Sequence, residues 1–444
     1  MNSAANPTDV ANRTSRLSRL PGWILLVMLP LTLLASLTDL LPAWLAGIPI
    51  WLAMLLLFAG LRRGQKWQSG LLLLIGGAGL LIGFLHDGDG RYLLKALEGN
   101  QMIVSMLVAV SFLRLVSLPA LAGQERLPVG PKALFGTLLG GHLVGAVINI
   151  SSVVILGDRL SARRPLSTLQ GLALLRAFSA CAVWSPFFAA MGVVLISAPG
   201  AQLNTLVLFG LPVAGVALGF SGWQIGRDPK ASALPGYPLQ LGALWMPVLL
   251  AVLVMLAHHF WPRVSVLTLV TLIALLFALL WLPLREGRDG IRQLQEHVHR
   301  GLPRLASEVS LFVAAAVLAA GVAAVLGALD IGLAPAHFGS VEACITVLIL
   351  VGASLIGMHP VTSVVLAGSI LMPTVEDPNL LGITLLLSWS LGICLSPFSG
   401  VQICLQSRYG ISARALLRLN AWYAPLMLLV AFASIGFYGL TSGH

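Results

Sequence analysis

The chain has 444 residues, of which 58% are hydrophobic and only 9% are charged. Soluble globular proteins carry about 25% charged residues, so this composition excludes a water-soluble enzyme and indicates a polytopic membrane protein. The formal net charge of +10 would suggest nucleic-acid binding in a soluble protein. In a membrane protein, an excess of Lys and Arg is expected in the cytoplasmic loops. We therefore expect no nucleic-acid partner.

Apolar stretches of about 20 residues, the length that crosses the hydrocarbon core of a bilayer, recur along the chain. The first follows a polar N-terminal segment and lacks a small-residue cleavage site, so we expect an uncleaved leading helix. Nine ordinary spans are predicted at 22–38, 42–61, 69–85, 101–121, 203–221, 238–260, 264–283, 309–329 and 421–440. Four further apolar regions are interrupted by polar residues or proline, or are too long for one crossing: 133–160, 167–198, 340–371 and 379–406.

The four irregular regions form two matching pairs at a constant offset of 211 residues. Ser152 to Val154 aligns with Ser363 to Val365, and Ser185 to Phe187 aligns with Ser396 to Phe398. The same ungapped register superposes three pairs of glycines. A constant register that joins these matches across about 35 residues indicates an internal repeat.

The number of crossings in each repeat decides its orientation. We interpret 133–160 and 340–371 as re-entrant hairpins, and 167–198 and 379–406 as broken helices that cross once. Five crossings are then predicted in each repeat, and because that number is odd, the repeats are inverted. The predicted fold is all-α with about 11 transmembrane helices, organised as residues 1–40 (N-terminal segment and leading helix), 41–225 (first repeat) and 226–444 (second repeat).

The positions of the basic residues agree with this topology. With a cytoplasmic N-terminus, 21 of the 26 Lys and Arg residues lie in cytoplasmic segments, as the positive-inside rule requires. These segments are 13–19, 62–66, 126–132, 159–164, 227–230, 285–304 and 408–418. The C-terminus is then periplasmic or extracellular, and we expect the inner membrane as the location. The arginine-rich segment 285–304 is predicted to be an interfacial helix.

The scarce polar residues at membrane depth gather at the hairpin turns and helix breaks. Non-helical backbone survives there only when it is buried in protein or lines a wet cavity, and such paired breaks are typical of secondary transporters. Half-helix N-termini attract anions, and unwound carbonyls with hydroxyls can hold Na⁺. The candidate binding residues are Asn149, Ser151, Ser152, Ser185, Pro186, His359, Pro360, Thr362, Ser363, Ser396, Pro397, Ser399, Gly400 and Gln402. The Na⁺ candidates among them are Ser152, Ser185, Ser363 and Ser396.

Each candidate also has a structural interpretation, because hydroxyls cap half-helices and prolines kink ordinary helices. Arg176 is a further candidate for substrate contact, since a membrane arginine is costly unless it is paired or faces water, although it could also snorkel to the surface. His359 is the best proton-coupling candidate, whereas we expect His142 to be packed. Asp158 is expected in an ion pair at the cytoplasmic interface. No Asp or Glu falls at the centre of a predicted span, which favours Na⁺ held by neutral oxygens over a buried-carboxylate antiporter.

This arrangement resembles the ion transporter superfamily, and its divalent anion:sodium symporters are the nearest analogue. The resemblance is architectural and covers about residues 40–440. Those symporters carry Ser-Asn-Thr at both hairpin tips, whereas this chain has Asn149 to Ser152 and His359 to Ser363 at these places. Because the motif differs, the resemblance does not imply a di- or tricarboxylate substrate. The resemblance implies a homodimer of subunits with a scaffold and a transport domain, elevator-type alternating access, a small anionic substrate, and Na⁺ or H⁺ as the coupling ion without another cofactor.

Three alternatives to a stand-alone secondary transporter make different demands on the chain. A membrane subunit of a binding-protein-dependent transporter of the same superfamily would be favoured by a neighbouring gene for a four-span partner and another for a periplasmic binding protein. A polytopic enzyme of polysaccharide or lipid-linked sugar metabolism usually needs a large periplasmic loop or acidic catalytic residues, and no loop is long enough here, so we expect no enzyme. A channel would need a symmetric filter or a charged ring, and nothing in the sequence resembles either.

Overall fold

The computed structural model describes residues 19–121, 127–239 and 245–442, and side chains 117–121 are outside the description. These residues are mostly helical, and their only β-structure is an isolated bridge between Val129 and Pro235. The helices are α1 (Leu20–Leu37), α2 (Ala43–Phe58), α3 (Arg63–Asp87), α4 (Arg91–Glu98), α5 (Gln101–Leu121), α6 (Pro131–Ile148), α7 (Ile150–Leu160), α8 (Thr168–Cys181), α9 (Ala189–Ser197), α10 (Leu203–Arg227), α11 (Trp245–Phe260), α12 (Val266–Glu286), α13 (Arg288–Glu296), α14 (Ala306–Ala328), α15 (Ser340–Leu355), α16 (Pro360–Leu371), α17 (Pro378–Leu395), α18 (Gly400–Tyr409), α19 (Ala413–Leu419) and α20 (Tyr423–Ser442).

Nine helical segments of the described chain are long and apolar enough to cross a membrane. This confirms the prediction of an all-α polytopic membrane protein. Two predicted spans correspond to α2 and α11, each with 16 helical residues in the described part of the chain, and α6 of the first predicted hairpin is itself among the nine. The total of eleven spans therefore stays a prediction.

The chain divides into two compact units, each built from two separate stretches of sequence. Unit 1 contains the chain up to Val116 and Val254–Ile331, and unit 2 contains Ser117–Leu253 and the chain from Gly332. Each unit thus takes residues from both predicted repeats. All four irregular regions lie in unit 2.

In unit 1, helices α3 and α14 approach each other closely along a line of small residues. A Cβ atom added at Gly79 would lie 2.6 Å from the carbonyl oxygen of Gly321. One added at Gly83 would lie 2.7 Å from the Cβ atom of Ala324. Small residues at these positions let the helix backbones meet, which is how membrane helices gain packing without a hydrophobic driving force.

In unit 2, two helix pairs and two interrupted helices occupy the predicted hairpin and broken-helix regions. The second arms of the pairs, α7 and α16, have 11 and 12 residues and extend about 17 Å at 1.5 Å per residue, too short to cross a bilayer. The two longer halves of the interrupted helices, α8 and α17, pack against each other. Across the repeats, α7 packs against α18 and α9 packs against α16.

Candidate functional site

The first hairpin turn consists of one residue, Asn149, with a positive φ of 52°, which is uncommon for a residue other than glycine. Its side-chain amide donates to the carbonyl of Phe187 in the first helix break, at 2.9 Å. The Ser152 hydroxyl donates to the carbonyl of Asn149, at 2.8 Å. The first bond joins the turn to the break and the second is local to the hairpin, and Ser151 lies half-buried next to the turn.

The second hairpin turn, residues 356–359, is closed by a histidine cap. His359 Nδ1 accepts from the backbone N–H of Val361 at 3.1 Å, and Pro360 is the first residue of α16. The neutral ring then carries its proton on Nε2. The Ser363 hydroxyl donates to the carbonyl of Pro360, at 3.1 Å, in the position equivalent to the Ser152 bond at the 211-residue offset. A capping role for His359 is thus visible, and proton coupling stays a prediction.

The first helix break, between α8 and α9, is a buried serine-proline turn. The hydroxyl of Ser185 donates to the carbonyl of Ala146 near the first hairpin turn. Its oxygen accepts from the N–H of Phe187 at 3.2 Å. Ser185, Pro186 and Phe187 are all buried, so this break lies inside unit 2.

The second break, between α17 and α18, repeats this geometry. The hydroxyl of Ser396 donates to the carbonyl of Met358 in the second hairpin turn, and its oxygen accepts from the N–H of Phe398, both at 3.3 Å. The surroundings differ, because Phe398 is 52% exposed, Pro397 is half-buried and Gly400 is exposed. The second break is therefore the more accessible of the two.

The carbonyl end of α17 is capped by three side chains. The Ser399 hydroxyl donates to the carbonyl of Ile393 at 2.9 Å. The Gln402 amide donates to the carbonyl of Cys394 at 2.7 Å, and the Asn420 amide donates to the same carbonyl at 3.1 Å. The sequence predicted Ser399 and Gln402 but missed Asn420, which lies between α19 and α20 in no recognisable motif.

Two candidate residues carry buried oxygens without a hydrogen-bond partner among the described residues. They are Thr362 Oγ1 and Gln402 Oε1, on side chains that are 3% and 1% exposed. Leaving a buried polar atom unsatisfied costs about 1–3 kcal/mol. Such oxygens are suited to coordinating a small cation or a bound water.

Arg176 is buried and satisfied by protein groups. Its guanidinium donates to the Asn420 side chain at 3.0 Å, the Leu419 carbonyl at 3.0 Å and the Gln224 side chain at 2.9 Å. It also lies over the ring of Tyr423, 4.1 Å from the centroid. None of these described partners is a carboxylate. The contacts favour a structural clamp over the snorkelling interpretation, and substrate contact stays a prediction.

His142 is a packed residue, as the sequence indicated. The indole N–H of Trp184 donates to His142 Nε2 at 3.2 Å, so the ring proton of the neutral histidine is on Nδ1. Nδ1 lies 3.2 Å from the carbonyl of Ala177 and donates to it. Both ring nitrogens are used inside unit 2.

The structure thus gathers the candidates other than Arg176 into two groups, each made of a hairpin turn and the break of the same repeat. The groups also approach each other, since a Cβ atom at Gly400 in the second break would lie 3.7 Å from Cδ1 of Ile150 in α7. No protein-family model and no curated protein matches this chain. The function is therefore argued from this geometry.

Proposed function

We propose that the protein is a cation-coupled secondary transporter of a small anionic solute in the inner membrane, working by elevator-type alternating access. The observation that carries the proposal is the pair of matched turn-and-break groups, with unpaired buried oxygens at Thr362 and Gln402. Broken helices that meet inside a membrane protein supply both the N–H groups and the carbonyls that bind ions. We propose no catalytic step.

An inverted repeat explains the packing within unit 2. At the 211-residue offset, α7 corresponds to α16 and α9 corresponds to α18. A two-fold relation then requires that the α7–α18 contact have a counterpart in α16–α9, and both contacts are present. This supports two inverted five-span repeats after a leading helix, hence eleven spans with the N-terminus cytoplasmic and the C-terminus outside.

Na⁺ is the preferred coupling ion in this proposal. The hydroxyl oxygens of Ser185 and Ser396 are neutral and lie in the helix breaks, and those of Ser152 and Ser363 are neutral and lie in the first turns of α7 and α16, next to the hairpin turns. Each keeps at least one lone pair, since a hydroxyl oxygen has two. Together with Thr362 and Gln402, these groups supply the neutral oxygen ligands that hard cations prefer.

The anion preference follows from charge and from the exposed start of α18. Arg176 brings a positive charge into unit 2, and Asn420 joins it to the carbonyl end of α17. Helix α18 begins at exposed Gly400, where unpaired backbone N–H groups and the helix dipole favour an anion. The separation of all candidates into unit 2 supports its role as a transport domain, with unit 1 as the scaffold of a homodimer.

The test is uptake by purified protein in proteoliposomes. A panel of labelled small carboxylates and inorganic anions is offered while Na⁺ and proton gradients are applied separately. At least one anion should accumulate under the Na⁺ gradient, and Ser152→Ala and Ser363→Ala should each reduce it. The matched control is Ser105→Ala, a buried serine of unit 1 whose hydroxyl bonds Thr32. If no anion moves under either gradient, or if only the control variant loses activity, the proposal fails.

A further inference from the structure

One side of unit 2 carries an ion pair between the two repeats. The Arg408 guanidinium at the end of α18 binds the carboxylate of Asp158 near the end of α7 with both of its adjacent nitrogens. The Nε–Oδ1 distance is 2.8 Å and the Nη2–Oδ2 distance is 2.7 Å. This two-point geometry is the strong form of an ion pair. It confirms the expectation that Asp158 is paired, with a partner 250 residues away.

Tyr409 reinforces the same contact. Its hydroxyl lies between the carboxylate of Asp158, at 2.8 Å, and the carbonyl of Val154, at 2.9 Å. The ring fits only because residue 157 is glycine, since a Cβ atom there would lie 2.8 Å from Cε2 of Tyr409. Ion pair and ring together bind α7 to α18 along the last two turns of α7.

A cleft of about 420 Å³ adjoins this contact and is lined by Asp158, Ser161, Pro165, Leu166, Arg408 and Tyr409. Leu166 is only 7% exposed, so the described conformation covers the apolar wall. Arg163 and Arg164 lie exposed in the segment that precedes Pro165. The positive charge of this segment raises the local concentration of anions.

The equivalent place in the other repeat has no charge. At the 211-residue offset, Asp158 corresponds to Ser369 and Arg408 corresponds to Ser197. The Ser369 hydroxyl bonds within its own helix, to the carbonyl of Val365 at 3.0 Å. A Cβ atom at Gly368 would lie 2.6 Å from Cβ of Ser197. The two matched contacts are therefore built differently: one is a tight apposition of small residues, and the other is an ion pair beside a cleft.

We infer that Asp158, Arg408 and Tyr409 form an ionic latch that keeps the apolar wall of the cleft covered at Leu166, and that release of the latch exposes this wall. Because only one repeat carries the latch, opening is controlled by charge on that side alone. The side is cytoplasmic in the proposed topology. The meaning of the opening as a step of transport rests on the proposed function, but the opening itself is measured without transport.

The experiment measures the reactivity of a cysteine at position 166 in the purified full-length protein in detergent. The partly exposed cysteines Cys344 and Cys404 are first replaced by serine, and Leu166→Cys is added as the reporter. A polar maleimide should label the reporter about three- to tenfold faster after Asp158→Asn or Arg408→Gln, as expected for loss of a charge-assisted, partly exposed pair. The charge exchange Asp158→Arg with Arg408→Asp should restore most of the slow rate.

A second reporter separates the latch from general loosening. Ser369→Cys lies at the uncharged counterpart, and its labelling rate should not change in Asp158→Asn. The inference is overturned if both reporters accelerate alike, or if position 166 keeps its rate when the pair is removed. It is also overturned if the charge exchange labels as fast as the single variants. If the labelling rates contradict the latch, the anion uptake assay still tests the proposed function. If no anion is taken up, the labelling rates still test the latch.

Discussion

Ser179 and Ser390 donate hydrogen bonds to each other's backbone carbonyl, at 2.7 and 2.9 Å, and their hydroxyl oxygens lie 3.1 Å apart. They are separated by 211 residues, the offset of the predicted repeat. A residue that meets its own repeat counterpart lies on a two-fold axis, as in an isologous interface. The contact between α8 and α17 is therefore where such an axis would pass.

The serine pair should stabilise unit 2 as a coupled unit. We expect Ser179→Ala to lower the free energy of unfolding by about 0.5–1.5 kcal/mol. Ser179→Ala with Ser390→Ala should cost less than the sum of the single changes, because the two hydroxyl oxygens contact each other at 3.1 Å and either single change already removes that contact. Thermal unfolding in detergent gives the values. Ser388→Ala is the matched control, because its hydroxyl bonds the carbonyl of Thr384 within the same helix; strictly additive serine variants would refute the coupling.

Gly79 and Gly77 are neighbours on α3 with opposite surroundings, and their substitutions should differ accordingly. Gly79→Leu places a side chain against the backbone of Gly321 and should lower the melting temperature by several degrees, since overpacking costs about 1–3 kcal/mol. Nothing lies within 4 Å of a Cβ atom at Gly77, so Gly77→Leu should be tolerated. Equal melting temperatures for the two variants would contradict the close α3–α14 contact.

Arg176 should be irreplaceable by lysine. Arg176→Lys loses the planar fork that reaches Asn420, Leu419 and Gln224 together and should destabilise the protein by about 2–4 kcal/mol. Arg227→Lys is the control, because Arg227 is exposed and lies over Trp223. Thermal unfolding measures both variants. A stable Arg176→Lys protein with reduced anion uptake would instead favour direct substrate contact.

The unpaired hydroxyl of Thr362 should affect ion binding more than stability. Thr362→Val keeps the shape and removes the oxygen, so the Na⁺ concentration that gives half-maximal uptake should rise about tenfold, equivalent to about 1.4 kcal/mol. Thr384→Val removes a hydroxyl that is already bonded to the carbonyl of Leu380 and should leave the Na⁺ dependence unchanged. Measuring initial uptake rates over a Na⁺ series distinguishes them. An unchanged Na⁺ requirement in Thr362→Val would remove this residue from the site.

The sequence could predict the parts of the candidate site that occur twice. Ser152 and Ser363 were found through the constant offset, and the structure gives their hydroxyls the same local bond, to the carbonyl three residues earlier. The helix breaks at Ser185 and Ser396 were predictable from the same offset. They were also predictable locally, because a serine before proline forms this turn.

Two residues that lack a repeat counterpart of the same chemistry, Asn420 and Tyr409, escaped prediction. Asn420 corresponds to Phe209, and Tyr409 corresponds to Ala198, so the offset gave no signal at either position. Their partners lie far along the chain, 26 residues away for the Cys394 carbonyl and 251 for Asp158. Such contacts depend on how the helices pack, which local sequence patterns do not encode.

The glycine contact between α3 and α14 also constrains how unit 1 can deform. Where Gly79 meets Gly321, no rotatable side chain separates the two helices, so sliding cannot be absorbed by a change of rotamer. A close-packed interface of this kind has low compressibility and transmits strain. We therefore expect α3 and α14 to move as one body within unit 1.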